Sequence, residues 1–186
     1  MKDIELIPEL LPVKDYFNPL LNKIDWQNKL KTESGEEISI HRKMAYVSDQ
    51  GVSRSLDYTY SKFTVKGQTW TPELLEIRDF LFDKLNIKFN SVLLNLYEDG
   101  KDEIKWHSDK EEILGENPVI ACVNTGATRK FWFLEKATGI KTPWTVSDRD
   151  LLIMGENCQR NYLHAILKEK EVLEPRISLT FRKVIK

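Results

Sequence analysis

Arg176-Ile177-Ser178-Leu179-Thr180-Phe181-Arg182 alternates polar and apolar residues without a break. Side chains on a strand point to opposite faces in turn, so Arg176, Ser178, Thr180 and Arg182 share one face and Ile177, Leu179 and Phe181 the other. The apolar face needs a core. The polar face, ending in two arginines, is either a solvated sheet surface or an inward wall that needs an anion, because burying an unpaired guanidinium is costly. Guanidinium groups grip carboxylates bidentately, so two of them can hold the ends of a small dicarboxylate.

Upstream of this strand the pattern is one of short alternating segments. Residues 91–97, 103–109, 118–125, 129–135, 150–154, 162–167 and 176–184 read as strands. Before them, Thr71-Pro72-Glu73 starts a helix, with an N-cap hydroxyl, proline at the first position and an acid in the first turn. Leu74, Ile77, Leu81 and Leu85 follow at helical spacing and are expected to face the core. Residues 32–69 read as β-ribbon and loop, with a turn at Thr32-Glu33-Ser34-Gly35-Glu36 and alternation at Ile38-Ser39-Ile40. In the proline-containing residues 1–31, Asn18-Pro19 is expected to cap and start a short helix. Many short strands after a helix predict a mainly β (α+β) fold, an antiparallel sandwich or barrel with helices packed outside.

The 186 residues suit one domain with a sizeable core. A formal net charge of −1 removes any bulk basic field, so contact with nucleic acid would rest on local clusters. Cys122 and Cys158 form no CxxC pair, which argues against a structural zinc site and a disulfide framework. No run of about 18 apolar residues is present, which excludes a spanning helix. Acids and prolines in Met1–Pro8 break up any signal-peptide core. The expectation is an intracellular monomer, cytoplasmic if bacterial and nuclear or cytoplasmic if eukaryotic, with no membrane partner.

The three histidines are His41, His107 and His164. His107 and Asp109 lie two apart on a predicted strand and so project to one side, where both can bind one ion. His164 comes from a later predicted strand. Two histidines and one carboxylate on one side of a divalent metal leave the opposite positions open for co-substrate and O₂, the arrangement of non-haem Fe(II) oxygenases. Taken singly, each is as readily a packed or surface residue. Asn95 and Tyr97 in Asn95-Leu96-Tyr97 are also polar inward candidates able to donate to carboxylate oxygens, although each alone reads equally as an ordinary strand residue.

The blocks Asn95-Leu96-Tyr97 and His107-Ser108-Asp109-Lys110-Glu111, the stretch Asp150 through His164, and Arg176 to Arg182 follow one another in the order and spacing of the AlkB family. The sequence resembles that family over about residues 40–185. The resemblance implies a double-stranded β-helix (jelly roll) with flanking helices and an N-terminal nucleotide-recognition lid. Residues 1–69 would form the extension and lid and 90–186 the catalytic core of a single domain. It implies iron(II) on His107, Asp109 and His164, 2-oxoglutarate on Asn95, Tyr97, Arg176, Thr180 and Arg182, and O₂ as oxidant. The implied activity is oxidative dealkylation of N-alkylated bases such as 1-methyladenine and 3-methylcytosine in DNA or RNA. Glu111 matches an acid that approaches the exocyclic amine of the target base, and Arg42-Lys43 and Tyr58-Thr59-Tyr60 match lid segments that touch substrate. A flipped, cationic base would stack on Tyr58 or Tyr60. Arg42, Lys43, Arg54 and Lys62, then Arg129 and Lys130, are candidate phosphate contacts. Two departures stand out: Ser178 replaces a usual Asn, and Ala165-Ile166-Leu167 lacks a proline common after the second histidine. Dealkylation or hydroxylation of a protein side chain, or a non-catalytic jelly-roll binding module, are the alternatives. His41 receives no role.

Overall fold

The computed structural model describes residues 3–32, 34–50, 57–60 and 63–185. The chain begins with strand Ile4–Ile7 (β1) and helix Phe17–Lys23 (α1), then Gln27–Thr32 (β2), Glu37–Ser48 (β3), Tyr58–Tyr60 (β4), Phe63–Val65 (β5) and Gly67–Gln68 (β6). Helix Pro72–Leu85 (α2) leads into Ser91–Tyr97 (β7), Ile104–His107 (β8), Ile120–Gly126 (β9) and Arg129–Glu135 (β10). Lys141–Val146 (β11), Leu151–Met154 (β12), the single turn Cys158–Asn161 (α3), Tyr162–Ile166 (β13) and Arg176–Arg182 (β14) complete it.

The long helix forms for the reasons its sequence predicts. Thr71 Oγ1 accepts from Leu74 N at 3.4 Å and Pro72 occupies the first turn, where a missing N–H costs nothing. Leu74, Ile77 and Leu81 are fully buried and Leu85 partly so. The first helix differs from expectation. It begins at Phe17, one residue before Asn18, because Asp15 Oδ1 accepts from Asn18 N at 3.0 Å and so supplies the cap from outside. Pro19 then lies within the first turn, where its missing donor is still harmless.

The strands form two sheets. A ten-stranded sheet runs β1-β12-β9-β14-β7-β3-β2-β5-β4, with β6 parallel to β3; a four-stranded sheet runs β11-β10-β13-β8. Apart from β3–β6, every pairing is antiparallel. This is the mainly β jelly roll, with two layers of core. Ile177, Leu179 and Phe181 of β14 pack with Leu20 of α1 and Leu74, Ile77 and Leu81 of α2. Between the sheets, Tyr97, Cys122 and Leu152 meet Phe131, Phe133, Tyr162 and Ile166. All seven residues of β14 are therefore buried, which removes the solvated-face alternative for its arginines. Each fully buried Leu or Phe there stabilises the fold by about 1.5–3 kcal/mol.

Three strands escape the sequence pattern, Gln27–Thr32 among them. Lys141–Val146 contains Pro143, which reads as a breaker, but β11 is the edge of the small sheet, where a strand needs no donor on its outer side. Ile4–Ile7 is only four residues long and gains its strand identity by pairing with β12. The predicted strand 103–109 shortens to Ile104–His107, which leaves Asp109 in a loop.

Candidate functional site

His107 and His164 are cross-strand partners on β8 and β13, and their ring centroids lie 4.2 Å apart. His107 Nδ1 is 2.7 Å from Lys105 O, to which it donates, so its Nε2 is the nitrogen that faces the centre. Asp109 stands beyond the end of β8 and is positioned from outside its own strand. Its N–H donates to Gln159 Oε1 at 2.8 Å, and its Oδ2 accepts from Arg182 Nη2. Oδ1 then faces both imidazoles, 3.6 Å from His107 Nε2 and 3.7 Å from His164 Nε2. Two metal bonds of about 2.1 Å span up to about 4.2 Å, so a single ion can reach all three groups.

The charge states suit that role. Burial works against the Asp109 carboxylate, but Arg182, His164 and His107 together outweigh it and hold the group at about 2. Burial, and next the neighbouring His107, press His164 down to about 3. At neutral pH this pair offers an anionic oxygen and a neutral imidazole, the forms that ligate metal.

A narrow cavity between the sheets is lined by the triad together with Asn95, Tyr97, Cys122, Ser178, Thr180 and Arg182. Strand register brings them together: Asn95 faces Ser178 and Tyr97 faces Arg176 across β7–β14. Arg176 does not line the cavity but sits behind Tyr97, with its guanidinium 5.3 Å from that ring. It is 1% exposed, donates through Nη2 to Asn124 Oδ1, and has no partner for Nε or Nη1. A buried cation with unmatched donors is costly, and a carboxylate is the group that would satisfy it. Ser178 Oγ lies 3.2 Å from Cys122 Sγ, so the replacement of Asn there is matched by a thiol neighbour. Burial pushes that thiol up, and Cys122 and Cys158 are both free and buried.

The expected substrate contacts fare less evenly. Arg42 Nε donates to Asn95 Oδ1 at 2.8 Å, which ties it to the cavity wall. Lys43 pairs with Glu98 at 2.8 Å near the surface. Tyr58 and Tyr60 form the ends of β4, whose side chains lie outside the described residues, as do Arg54 and Lys62 altogether. Glu111 precedes a 3₁₀ turn at Glu112–Leu114 and is half-buried, but it is not part of the cavity wall. Arg129 is a correction. It is 1% exposed and bonds Asp99 O, Asp102 O, Leu167 O and Glu169 Oε1, so it clamps loops and cannot meet a phosphate. Lys130 lies 3.8 Å from the same Glu169, and His41 is exposed.

Two residues with clear work here, Asn124 and Gln159, are not among the candidates read from the sequence. Asn124 follows Cys122 at strand spacing, so its inward face was detectable from alternation. Gln159 lies in what reads as a turn, and no periodicity signals that its amide reaches a residue 50 positions away.

Comparison with known proteins agrees with this geometry. Residues 5–182 match the model of the 2OG-Fe(II) oxygenase superfamily. The chain is 33% identical to the human DNA oxidative demethylase ALKBH2, over 97% of its own length and 68% of that protein's. It is 32% identical to the alpha-ketoglutarate-dependent dioxygenase alkB homolog 3 of Bos taurus, over 96% of this chain and 65% of that one. The chain thus spans about two thirds of the length of these relatives. Among solved structures, that of OsALKBH1 superposes with a TM-score of 0.66 at 14% identity, covering 97% of this chain and 98% of the other.

Proposed function

This chain belongs to the AlkB family of the 2OG-Fe(II) oxygenase superfamily, and on that premise we propose that it oxidatively dealkylates N-alkylated bases, such as 1-methyladenine and 3-methylcytosine, in DNA or RNA. The family's cofactor is iron(II), with 2-oxoglutarate and O₂ as co-substrates. The residues present fit them: two imidazoles and a carboxylate converge on one point, and the buried Arg176 has two unpartnered donors that a carboxylate would match. Bound there, iron(II) with 2-oxoglutarate and O₂ supplies the oxidising power that converts an N-alkyl carbon to an aldehyde and frees the base.

The chain's own residues do the rest. His107, Asp109 and His164 hold the ion, while Arg182 fixes the Asp109 carboxylate with one oxygen turned inward. Asn95, Tyr97, Thr180, Arg176 and Arg182 receive the co-substrate, Arg176 from behind Tyr97. The base leaves its stack, or comes from a single strand, to reach so buried a centre. Tyr58 and Tyr60 stack on it, Glu111 accepts from its exocyclic amine, and Arg42 and Lys43 meet the strand. We assign the lid to β2, β4 and β5, which extend the large sheet past β3, within a single domain that acts as a monomer in an intracellular compartment.

The observation that carries this reading is the pair of separations, 3.6 and 3.7 Å, from one Asp109 oxygen to two imidazole nitrogens. The test is incubation with iron(II), 2-oxoglutarate and methylated oligonucleotides, read by mass spectrometry. Loss of the methyl group and release of formaldehyde are expected. Turnover of methylated peptides but of no methylated oligomer would replace this substrate with a protein side chain.

A further inference from the structure

Several of the cations that the sequence offers for phosphate binding also have partners within the protein. Arg129 is buried among carbonyls, Arg42 is bonded to Asn95, Lys43 to Glu98, and Lys130 lies beside Glu169. A second group of cations has no carboxylate partner, although Lys136 and Arg160 each bond to neutral oxygens of the protein. Lys110, Lys136 and Arg160 come from three separate segments: the loop after β8, the turn after β10, and α3. Among the described residues, none of the ion pairs includes Lys110, Lys136 or Arg160.

Lys136 is fixed in place. Its ammonium donates to Gln159 O at 2.9 Å and Arg160 O at 3.0 Å, which anchors the β10–β11 turn to α3. Burial, then the charge of neighbouring Lys110, press its pKa below the ordinary value. Like charges held together without a counter-ion repel each other, and an anion seated between them removes that penalty. Arg160 is oriented by its bond to Asn157 Oδ1 at 2.5 Å. Beside Lys110 and Arg160 lies a cavity of ≈190 Å³ walled also by Gln159, Asn117, Pro118 and Asp109; Lys136 is outside this wall and adjoins it through the Gln159 and Arg160 carbonyls. It is distinct from the cavity between the sheets, and Asp109 is a wall common to both.

We propose that Lys110, Lys136 and Arg160 form a phosphate-binding site on the outer side of Asp109, and that its occupant is a backbone phosphate of the substrate strand. The proposal rests on the nucleic-acid reading above for the source of the phosphate. The position is suitable: a phosphate held there places the neighbouring nucleotide beside the candidate metal centre. Gln159 links the two sites directly, since its backbone carbonyl accepts from Lys136 and its side-chain carbonyl from Asp109 N.

The test measures binding of an unmethylated oligothymidylate to the full chain across a salt series, so it needs no turnover. Lys136→Gln with Arg160→Gln is expected to weaken binding by about three- to tenfold per cation and to reduce the salt slope by about 0.7 for each. Lys136 also supports a turn, so Lys110→Gln, at an exposed position, is the second variant and is expected to show the same per-cation loss. A methylphosphonate placed at the seated linkage is expected to erase the difference between wild type and variants. Wild-type affinity and slope in both variants would overturn the site. Inorganic phosphate that binds through these cations without displacing the oligomer would overturn the strand as its source. Cation-dependent binding by a protein that dealkylates no methylated oligomer would refute the proposed activity and leave the site standing.

Discussion

The two histidines and the aspartate of the candidate centre are held by different means. His107 and His164 sit opposite each other on paired strands, so the hydrogen-bond ladder of the small sheet sets their separation. Asp109 lies outside that ladder and depends on two distant side chains, Gln159 and Arg182. Register protects the first pair against loss of a single neighbour, because the backbone holds them. The aspartate has no such support. Changes around it are therefore expected to act through position as well as through charge.

The largest effect would come from removing a strand-held ligand itself. His107→Ala is expected to abolish 2-oxoglutarate turnover while the unfolding midpoint stays near that of the wild type, since this side chain is about one-third exposed (33%). Succinate release and a denaturant melt measured together check both parts, and unchanged turnover would refute the site assignment. Next in size is Arg182→Met. It leaves the Asp109 carboxylate buried without its guanidinium, which is expected to cost about 3–5 kcal/mol in denaturant unfolding. A loss below about 1 kcal/mol would show that Arg182 is not what compensates the buried charge.

Gln159→Leu probes the loop-held ligand more gently. The Asp109 N–H loses its acceptor, at an expected cost of about 1–3 kcal/mol. Iron(II) affinity, measured by anaerobic titration, is expected to fall about 10- to 100-fold as the carboxylate loses its orientation. Equal losses of affinity on changing Lys105 or another neighbour of the strand-held pair would erase the contrast between strand-held and loop-held ligands. The smallest effect belongs to Lys43→Ala. Its pair with Glu98 is exposed, so stability should change by about 0–1 kcal/mol, while binding of a methylated oligonucleotide weakens if Lys43 meets the strand.

Much of this arrangement was legible in the chain. The alternation of Arg176 to Arg182 placed the right residues on each face, and the Thr71-Pro72-Glu73 start with Leu74, Ile77 and Leu81 located a core helix. Such readings succeed because they depend on local periodicity. The HxD spacing paired His107 with Asp109 correctly, but for a reason the structure replaces: the strand ends at His107, and other segments direct the carboxylate. Pro143 hid an edge strand, because edge position is a property of the sheet and not of the residues in the strand. Arg129 read as a surface cation because its carbonyl and carboxylate partners are 27 to 40 positions away.

By itself, then, the sequence determined which side chains face inward and which donor types are present, since both follow from backbone period and residue chemistry. Only the tertiary structure decided which charges are matched. Asp109 meets Gln159 and Arg182 across 50 and 73 residues, and Lys110, Lys136 and Arg160 gather from three segments. The reason is physical: electrostatic pairing depends on distance in space, and chain separation of that length carries no local pattern from which the distance can be read.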